Sequence, residues 1–166
     1  MVEGVGLFAP REAGLKRVSE HWYLSNQCDP QAIAIYERHY SCRKYADGRK
    51  RRQFVGMGQK MVLISGEADA LFVWRRFMMP DMAGQSGVGC SVFRNEGPEL
   101  SSTLILEAMK LAWVRWPGER LYTYVNPAKV RSDNPGCCFL KAGWRRCGAT
   151  KGGLMVLEAT GGESAG

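Results

Sequence analysis

The stretch from Gly89 to Trp116 changes its pattern of apolar and polar positions once, near its middle. Residues 90–95 alternate with a period of two, which predicts a short strand. Gly97 and Pro98 then break the extended pattern. Beyond them the apolar residues recur at helical spacing, which predicts a long helix. They are Leu104, Leu106, Ala108, Leu111, Ala112 and Trp116.

The predicted helix has clear signals at both ends. Ser101 and Ser102 are good N-cap residues, and Pro117-Gly118 suits the exit. The first-turn N–H groups of a helix lack intrahelical partners, and the helix dipole is positive there. A strand followed by such a helix therefore offers a seat for a phosphate group. A plain strand-to-helix connection without a ligand explains the same pattern equally well.

The remaining pattern predicts two further helices and several short strands. Asp29 and Pro30 suit the start of a helix that runs to about Tyr40, and Asn134 suits the cap of a short helix that ends before Gly143. Residues 18–24 fit either a strand or a short helix. The predicted strands are residues 60–65 and 70–76, which form a hairpin, and residues 120–126, 144–148 and 153–159. We expect one α/β domain over residues 1–166, with residues 1–14 and 160–166 irregular.

Two of these segments have functional interest beyond their fold. The strand at residues 120–126 places Tyr122 and Tyr124 on one face and Leu121, Thr123 and Val125 on the other. Residues 77–86 contain three methionines, a proline and a glycine. This apolar loop is either a lid or simply a long connection between strands.

Composition narrows the functional classes. The chain has 166 residues, of which 45% are hydrophobic, and no run reaches the ~20 apolar residues of a membrane span. The beginning of the chain lacks a signal-peptide pattern, so we expect a cytoplasmic protein. The six cysteines include no C-x-x-C pair, which disfavours a zinc site or a disulfide framework. The formal charge of +7 favours a polyanionic partner.

Much of the positive charge lies in one segment around the Asp47-Gly48 turn, between residues 43 and 52. A solvated loop and a nuclear-localisation signal are two explanations. A third is a phosphate-contacting segment, in which Tyr40 and Tyr45 stack on a base or pack near the backbone. Its basic residues are Arg43, Lys44, Arg49, Lys50, Arg51 and Arg52.

The short run His39-Tyr40-Ser41 falls at the predicted C-terminal end of the first helix. A histidine at that position is favoured as a cation by the helix dipole, so its simplest role is capping.

The order of predicted elements resembles the GNAT superfamily of acyl-CoA-dependent N-acetyltransferases. The run Asn134-Pro135-Gly136, with Phe139 and Lys141 to Trp144 after it, resembles a late motif of that superfamily, with tryptophan in the place of phenylalanine. This resemblance implies a GNAT-like acyltransferase fold, a single mixed central sheet flanked by helices. The usual pyrophosphate loop of the superfamily is Q/R-x-x-G-x-G/A. Here the loop from Arg94 to Ser102 keeps only Gly97, so close backbone approach to a pyrophosphate is reduced.

A narrower resemblance rests on several short motifs in the same order. They resemble the Mom DNA-modification proteins of Mu-like phages, diverged acetyltransferase-fold proteins that modify adenine in phage DNA and so protect it from restriction enzymes. The motifs are His39-Tyr40-Ser41, Phe93-Arg94-Asn95-Glu96, Ser101-Ser102, Tyr122-Thr123-Tyr124-Val125 and Asn134-Pro135-Gly136.

The narrower resemblance implies roles for particular residues. The catalytic candidates are His39 as general base, Tyr40 against the flipped adenine, Ser41 and Tyr124. Either Tyr122 or Tyr124 could protonate a leaving thiolate. The candidates for binding the donor, acetyl-CoA or another acyl carrier, are Arg94, Ser101, Ser102, Tyr122 and Asn134. Arg94 could instead pair with Glu96 or Glu99, and Asn134 could be a helix cap alone. A transition metal at His39 is the less favoured alternative, because no ligand-spaced cluster accompanies it.

Three functions follow as competing hypotheses. The first is a phage- or prophage-encoded transferase that adds a small carbamoylmethyl-type group to adenine N6 of double-stranded DNA in a bacterial host. The second is an ordinary acetyl-CoA-dependent N-acetyltransferase acting on a small amine or a protein. The third is a DNA-binding module that kept the fold and lost the chemistry. A homodimer suits a DNA enzyme, but nothing in the sequence requires one.

Overall fold

The computed structural model describes residues 14–129 and 136–161, which contain eight strands and three helices. The strands are β1 (Lys16–Arg17), β2 (Trp22–Leu24), β3 (Gln59–Ser65), β4 (Ala70–Arg76), β5 (Val88–Asn95), β6 (Leu121–Val125), β7 (Arg145–Ala149) and β8 (Met155–Ala159). The helices are α1 (Pro30–Tyr36), α2 (Ser101–Arg115) and α3 (Cys137–Lys141).

All eight strands belong to one mixed sheet with the order β1-β2-β3-β4-β5-β6-β8-β7. Every neighbouring pair is antiparallel except β5 and β6, which run parallel and are connected through α2. A parallel pair needs such a crossover connection. The predicted fold class, an α/β domain with one mixed central sheet flanked by helices, is therefore confirmed.

Each side of the sheet carries its own hydrophobic core. On the α2 face, Trp22, Phe72 and Trp74 of the sheet pack against α2 and α3. On the α1 face, Ile64 and Val73 pack against α1 and the segment around Val55. The two sets alternate along β3 and β4, because successive side chains of a strand point to opposite faces. The indole N–H groups of Trp22 and Trp74 donate to the carbonyls of Leu104 and Ala108 at 2.9 Å each, which fixes α2 on the sheet.

The helix ends differ from the sequence-based predictions in two places. The first helix ends at Tyr36 and not near Tyr40, because Arg38 and His39 bond three residues back, to Ile35 and Tyr36, in tight turns. Leu100 occupies the N-cap of α2, since the Ser101 hydroxyl accepts a hydrogen bond from the Asn95 amide at 3.0 Å. The predicted cap Asn134 lies outside the described residues.

The other predicted elements are present. The hairpin of β3 and β4, the central strand β5, and the strands β6, β7 and β8 are confirmed with small shifts at their ends, and residues 22–24 of the ambiguous segment form a strand. The longest described helix, α2, has 15 residues, and no described helix combines the length and hydrophobicity that crossing a membrane requires.

We predict that Gly87→Ala destabilises the fold far more than Gly84→Ala. Both glycines have positive φ, of 121° and 84°. A Cβ atom at Gly87 would lie 2.2 Å from the Arg120 carbonyl oxygen, whereas the space beside Gly84 is open. We expect a loss of about 2–4 kcal/mol at Gly87 and about 1 kcal/mol at Gly84. Urea unfolding followed by tryptophan fluorescence measures both, and equal losses would contradict this account of the β4–β5 loop.

Candidate functional site

The parallel strands β5 and β6 pair only over their first three residues. The last matched pair is Cys90 with Thr123, although β5 continues to Asn95 and β6 to Val125. A bulge falls at the same point, since Cys90 pairs with Trp74 of β4 but Val92, not Ser91, pairs with Val73. A bulge bends its strand and adds twist. The strands therefore separate beyond Ser91 and leave a gap between their C-terminal halves.

His39 and Tyr40 lie across this gap on the α1 face. The His39 ring hydrogen-bonds to the backbone of Phe93 in β5, and the Tyr40 hydroxyl hydrogen-bonds to the backbone of Asn126 at the end of β6. The two rings stack on each other, with centroids 4.4 Å apart and planes 26° apart. The pair therefore bridges the two strands at the point where they no longer bond to each other.

The His39 imidazole is held in a neutral form. Ser41 contacts Nδ1 twice, through its backbone N–H at 3.1 Å and its hydroxyl at 2.7 Å. Because Nδ1 accepts the backbone N–H, the ring proton lies on Nε2, which leaves that nitrogen to donate to the Phe93 carbonyl. Burial of the ring, and then the positive charge of Arg94, lower the pKa of His39 to about 4 despite the bond to Phe93. His39 is thus neutral at physiological pH, and both ring nitrogens already have partners.

Tyr40 has one face on His39 and keeps 39% of its surface exposed. Burial of the hydroxyl raises the pKa of Tyr40, so it stays protonated at physiological pH. An aromatic ring that is fixed on one side and open on the other is a suitable platform for stacking a planar ligand.

Tyr122 and Tyr124 meet at a residue that the sequence pattern did not single out. Their hydroxyls donate to the same oxygen, Oδ2 of Asp81, at 2.9 and 2.5 Å. Asp81 lies in the β4–β5 loop, and its Oδ1 accepts the backbone N–H groups of Ala83 and Gln85 at 3.0 and 2.8 Å. The single acidic side chain in residues 77–87 was the available signal, but local pattern gives no indication that the loop folds back onto β6.

The shared carboxylate sets the protonation of this cluster. Burial, and then the hydrogen bond to Asp81, raise the pKa values of Tyr122 and Tyr124. Burial also acts to raise the pKa of Asp81, but the hydrogen bonds from Tyr124, the Gln85 backbone and Tyr122 outweigh it and place that pKa below its usual range. The cluster therefore consists of an ionised Asp81 and two protonated tyrosines.

Arg94, which the sequence suggested for an anionic donor group, is engaged with a carboxylate. Glu96 accepts its Nε at 2.6 Å and also binds Arg38 through two bonds of 2.7 Å each. The hydrogen bond from Arg38 is the largest cause that lowers the pKa of Glu96 to about 2. The ion pair with Glu96, given as the alternative in the sequence analysis, is therefore present. Two cations share one carboxylate, so the cluster keeps a net positive charge of one.

The loop between β5 and α2 is tied internally. The Asn95 side-chain amide donates to the Glu99 carbonyl at 2.6 Å and to Ser101, while its oxygen accepts the Gly97 N–H at 3.0 Å. A Cβ atom at Gly97 would lie 2.3 Å from Oδ2 of Asp69, so this glycine allows close approach of a carboxylate. Ser102 follows Ser101 in the first turn of α2, whose N-cap makes no side-chain hydrogen bond.

These residues fit the thioester arm of an acyl carrier better than its phosphates. Backbone groups of β5 beyond Ser91 are not paired with β6, so an extended arm with amide groups can bond there. The first-turn N–H groups of α2 suit an anion. However, Glu99 precedes that turn by two residues, Asp69 lies beside Gly97, and Arg94 is already paired with Glu96.

The basic segment of residues 43–52 follows directly after this site. Arg43, Lys44, Lys50 and Arg52 are exposed. Arg49 is also exposed but stacks over Tyr45 at 4.0 Å and pairs with Asp47 at 3.7 Å. Arg51 differs from the rest, because its side chain is only 10% exposed.

Arg51 holds the segment together from within. Its guanidinium donates to the Arg43 carbonyl and lies over the rings of Tyr45 and Tyr36, at 4.7 and 5.1 Å. Glu37 is 4.0 Å from its Nε. Among the predicted DNA contacts, Arg51 therefore has an internal structural position, whereas the exposed residues keep their charges at the surface.

A second titratable cluster lies away from the gap, beside α2. His21 Nδ1 contacts Glu107 at 2.5 Å and its Nε2 contacts Glu99 at 3.1 Å. Within residues 14–129 and 136–161, His21 forms with Glu20 and Glu107 a group whose ligand-type atoms lie within 4.8 Å of one another. The hydrogen bond between His21 and Glu107 is the largest cause that raises the pKa of His21. A histidine cation that bridges carboxylates accounts for this cluster.

The comparison with solved structures agrees with this architecture. No protein-family model and no curated protein matches the sequence. A protein described as a GnaT-family acetyltransferase from Bordetella pertussis aligns with a TM-score of 0.50 and 13% identity, over 88% of this chain and 99% of that chain. One described as an acetyltransferase from Sphaerobacter thermophilus DSM 20745 aligns with a TM-score of 0.43 and 12% identity, over 87% and 96%.

The first of these alignments shows that the chain has the fold of GnaT-family acetyltransferases. The GNAT-like fold expected from the sequence is thereby confirmed. At 13% identity the likeness concerns the fold, and the side chains around the gap determine the donor and the acceptor.

We predict that the two histidines of the chain titrate on opposite sides of the ordinary value of 6.5. His39 has a pKa near 4, whereas His21 titrates above 6.5. Between pH 6.5 and 4, His39 is therefore protonated more often in the unfolded chain than in the folded one. The free energy of unfolding falls as the pH drops through this window. The contribution of His21 is present below pH 6.5 and is lost as pH rises through its folded pKa.

NMR titration of the two imidazole Cε1–H signals, assigned with a His21→Gln variant, measures both values. His39→Gln should also remove part of the acid-side loss of stability in urea unfolding between pH 6.5 and 4. A His39 signal that titrates at or above pH 6.5 would contradict the half-buried, neutral imidazole.

Proposed function

We propose that this chain is a transferase of the acyltransferase fold that modifies the N6 amine of adenine in double-stranded DNA. The observation that carries the proposal is the His39–Tyr40 pair, which spans the gap between β5 and β6 directly before an exposed basic segment. The final mark is a small acyl-derived group of the carbamoylmethyl type, which acyl transfer alone does not give in one step, and the modified DNA resists restriction enzymes. This makes the chain a phage-encoded anti-restriction protein acting in a bacterial cytoplasm.

Modification of adenine in a duplex requires both an aromatic residue that holds the base and cations that hold the DNA backbone. The N6 amine is a poor nucleophile inside a base pair, so the base must be rotated out of the duplex at a cost of a few kcal/mol. Tyr40 offers an exposed aromatic face to the extruded base. Arg43, Lys44, Lys50 and Arg52 then bind backbone phosphates close by, an interaction that does not depend on sequence.

The donor side is the gap itself. The unpaired backbone of β5 beyond Ser91 and the first turn of α2, with Ser101 and Ser102, would hold an acyl carrier such as acetyl-CoA, and Asn134 belongs to the same expected set. A bound carrier of this kind supplies an activated carbonyl carbon. The acidic residues around Gly97 favour a carrier that places little negative charge at that turn.

Each side chain on the acceptor side has a definite task. Ser41 fixes the ring of His39, and His39 supports Tyr40 through stacking. Tyr124 lies two residues before Asn126, whose backbone binds the Tyr40 hydroxyl, so the two tyrosines approach β6 at neighbouring positions. His39 acts here as a neutral orienting group, because Ser41 occupies its Nδ1 and its Nε2 proton is directed at the Phe93 backbone.

The first test is nucleoside mass spectrometry on DNA from cells that express the chain. We expect a new deoxyadenosine derivative that is lost or strongly reduced with His39→Ala. His21→Ala is the comparison variant, because it removes the other histidine of the chain. It frees Glu99 beside the donor turn, so we expect a smaller loss of the derivative than with His39→Ala. Unmodified DNA in cells that contain the folded protein would favour the alternative, an acetyl-CoA-dependent N-acetyltransferase for a small amine or a protein.

A second test addresses the DNA contact. Lys44→Ala with Lys50→Ala should lower affinity for duplex DNA of any sequence and reduce the slope of log K against log salt by about 2, one unit for each lost phosphate contact. Lys16→Ala with Lys110→Ala is the control, since it removes two exposed lysines from β1 and α2. Fluorescence anisotropy over a salt series measures both pairs, and equal slopes for the two would remove residues 43–52 as the DNA contact.

A further inference from the structure

The β4–β5 loop, residues 77–87, is anchored to the site by one carboxylate. Asp81 accepts four hydrogen bonds, two from the backbone of its own loop and two from the hydroxyls of Tyr122 and Tyr124. Arg120 adds two bonds to the end of the loop, to the Gln85 side chain at 2.8 Å and to the Ser86 carbonyl at 3.0 Å. The position of the Asp81 carboxylate beneath β6 is therefore fixed from both sides.

The hydrogen bonds determine what Tyr124 can still do. An ionised carboxylate only accepts, so the single hydroxyl proton of Tyr124 points at Asp81 at 2.5 Å. The Tyr124 oxygen is left with its lone pairs and can accept a proton from a third group. It has no second proton with which to protonate a leaving group, which is the role that the sequence suggested.

Another proton acceptor is needed because His39 is poorly suited to the task. Ser41 occupies Nδ1, and the Nε2 proton is directed at the Phe93 backbone. Tyr124 lies two residues, about 7 Å along β6, from Asn126, whose backbone binds Tyr40, so the two tyrosines approach the strand at neighbouring positions.

We propose that Tyr124 and Asp81 form a proton-accepting pair for the adenine amine, with Tyr124 as the catalytic residue and Asp81 as the positioning residue behind it. The pair serves the acyl-transfer step, which leaves an amide on N6 and precedes completion of the final mark. As the amine nitrogen forms its bond to the donor's carbonyl carbon, an N–H proton passes to the Tyr124 oxygen. The Tyr124 proton moves to Oδ2 of Asp81 at the same time. The bond between the carbonyl carbon and its leaving group breaks, the leaving group keeps the electron pair, and Asp81 later releases its proton to solvent.

The acidity of the reacting nitrogen makes a weak base sufficient. Once the new bond forms, the nitrogen carries positive charge and remains conjugated to an electron-poor ring, so it loses a proton readily to a carboxylate. The charged and titratable groups that face the pair are Tyr122 and Arg120, while Arg75 acts on Tyr122 from β4. Arg120 acts to lower the pKa values of both tyrosines, and Arg75 acts to lower that of Tyr122, against the larger effects of burial and Asp81.

This inference rests on the proposed function, and its test measures two properties of each variant. The first is the amount of modified deoxyadenosine per folded protein in cells, and the second is the affinity of the purified protein for duplex DNA. Asp81→Asn and Tyr124→Phe should each lower modification by about 10²–10⁴-fold and leave DNA affinity within about twofold. The double variant should be no worse than either single one, because the two residues act as a unit.

Tyr122→Phe is the matched comparison, since it removes the other hydroxyl from the same oxygen of Asp81. We expect the amount of modified deoxyadenosine to fall by less than about tenfold, which corresponds to the loss of one ordinary hydrogen bond. Asp81→Glu should recover part of the activity that Asp81→Asn lacks, because it restores an ionised acceptor.

The outcomes separate the inference from the function on which it rests. Modification by the unchanged chain that also persists in Asp81→Asn would overturn the proton-accepting pair and leave the proposed function in place. Equal losses for Tyr122→Phe and Tyr124→Phe would reduce Asp81 to a structural anchor of the loop, which also overturns the pair. Absence of any modified adenine with the unchanged chain would overturn the proposed function and the inference together.

Discussion

The candidate site depends on one backbone constraint, the short parallel pairing of β5 and β6. Hydrogen bonds join the two strands only as far as Cys90 and Thr123, and the bulge at Ser91 turns β5 away from its neighbour. Unpaired strand edges inside a sheet must find other partners, because buried backbone groups are costly to leave unsatisfied. His39 and Tyr40 provide two such partners from the α1 face, which explains why these rings sit where the sheet opens.

Charge around the gap follows a consistent arrangement. Arg38 and Arg94 converge on Glu96, and Arg120 and Arg145 converge on the buried carboxylate of Glu158. Each cluster satisfies its carboxylate and retains one surplus positive charge. The exposed part of residues 43–52 adds cations at the surface directly after the stacking residues His39 and Tyr40. Surface cations of this kind attract a polyanion, and because they are exposed they have little effect on the stability of the core.

Local elements were predictable where a single physical signal dominated. Alternation of apolar residues defined the β3–β4 hairpin, and the helical stripe after Pro98 defined α2. Errors arose at element ends, where tertiary contacts compete with local preference. The first helix stops at Tyr36 because the following residues turn tightly toward β5, and Ser101 bonds to Asn95 rather than capping α2. Capping preferences are worth about 1 kcal/mol, which one competing hydrogen bond can offset.

The sequence by itself determined the fold class, the positions of most strands and helices, and the residue types from which a site could be built. It also placed Tyr122 and Tyr124 on one face of β6, because a strand has a period of two. Only the tertiary structure decided which groups meet. It joined Asp81 to both tyrosines across 41 and 43 residues of chain, buried Arg51 inside its own basic segment, and lowered the pKa of His39 to about 4. Hydrogen bonding, burial and pKa depend on neighbours in space, and these are set by the crossing of β5, α2 and β6 and not by local periodicity.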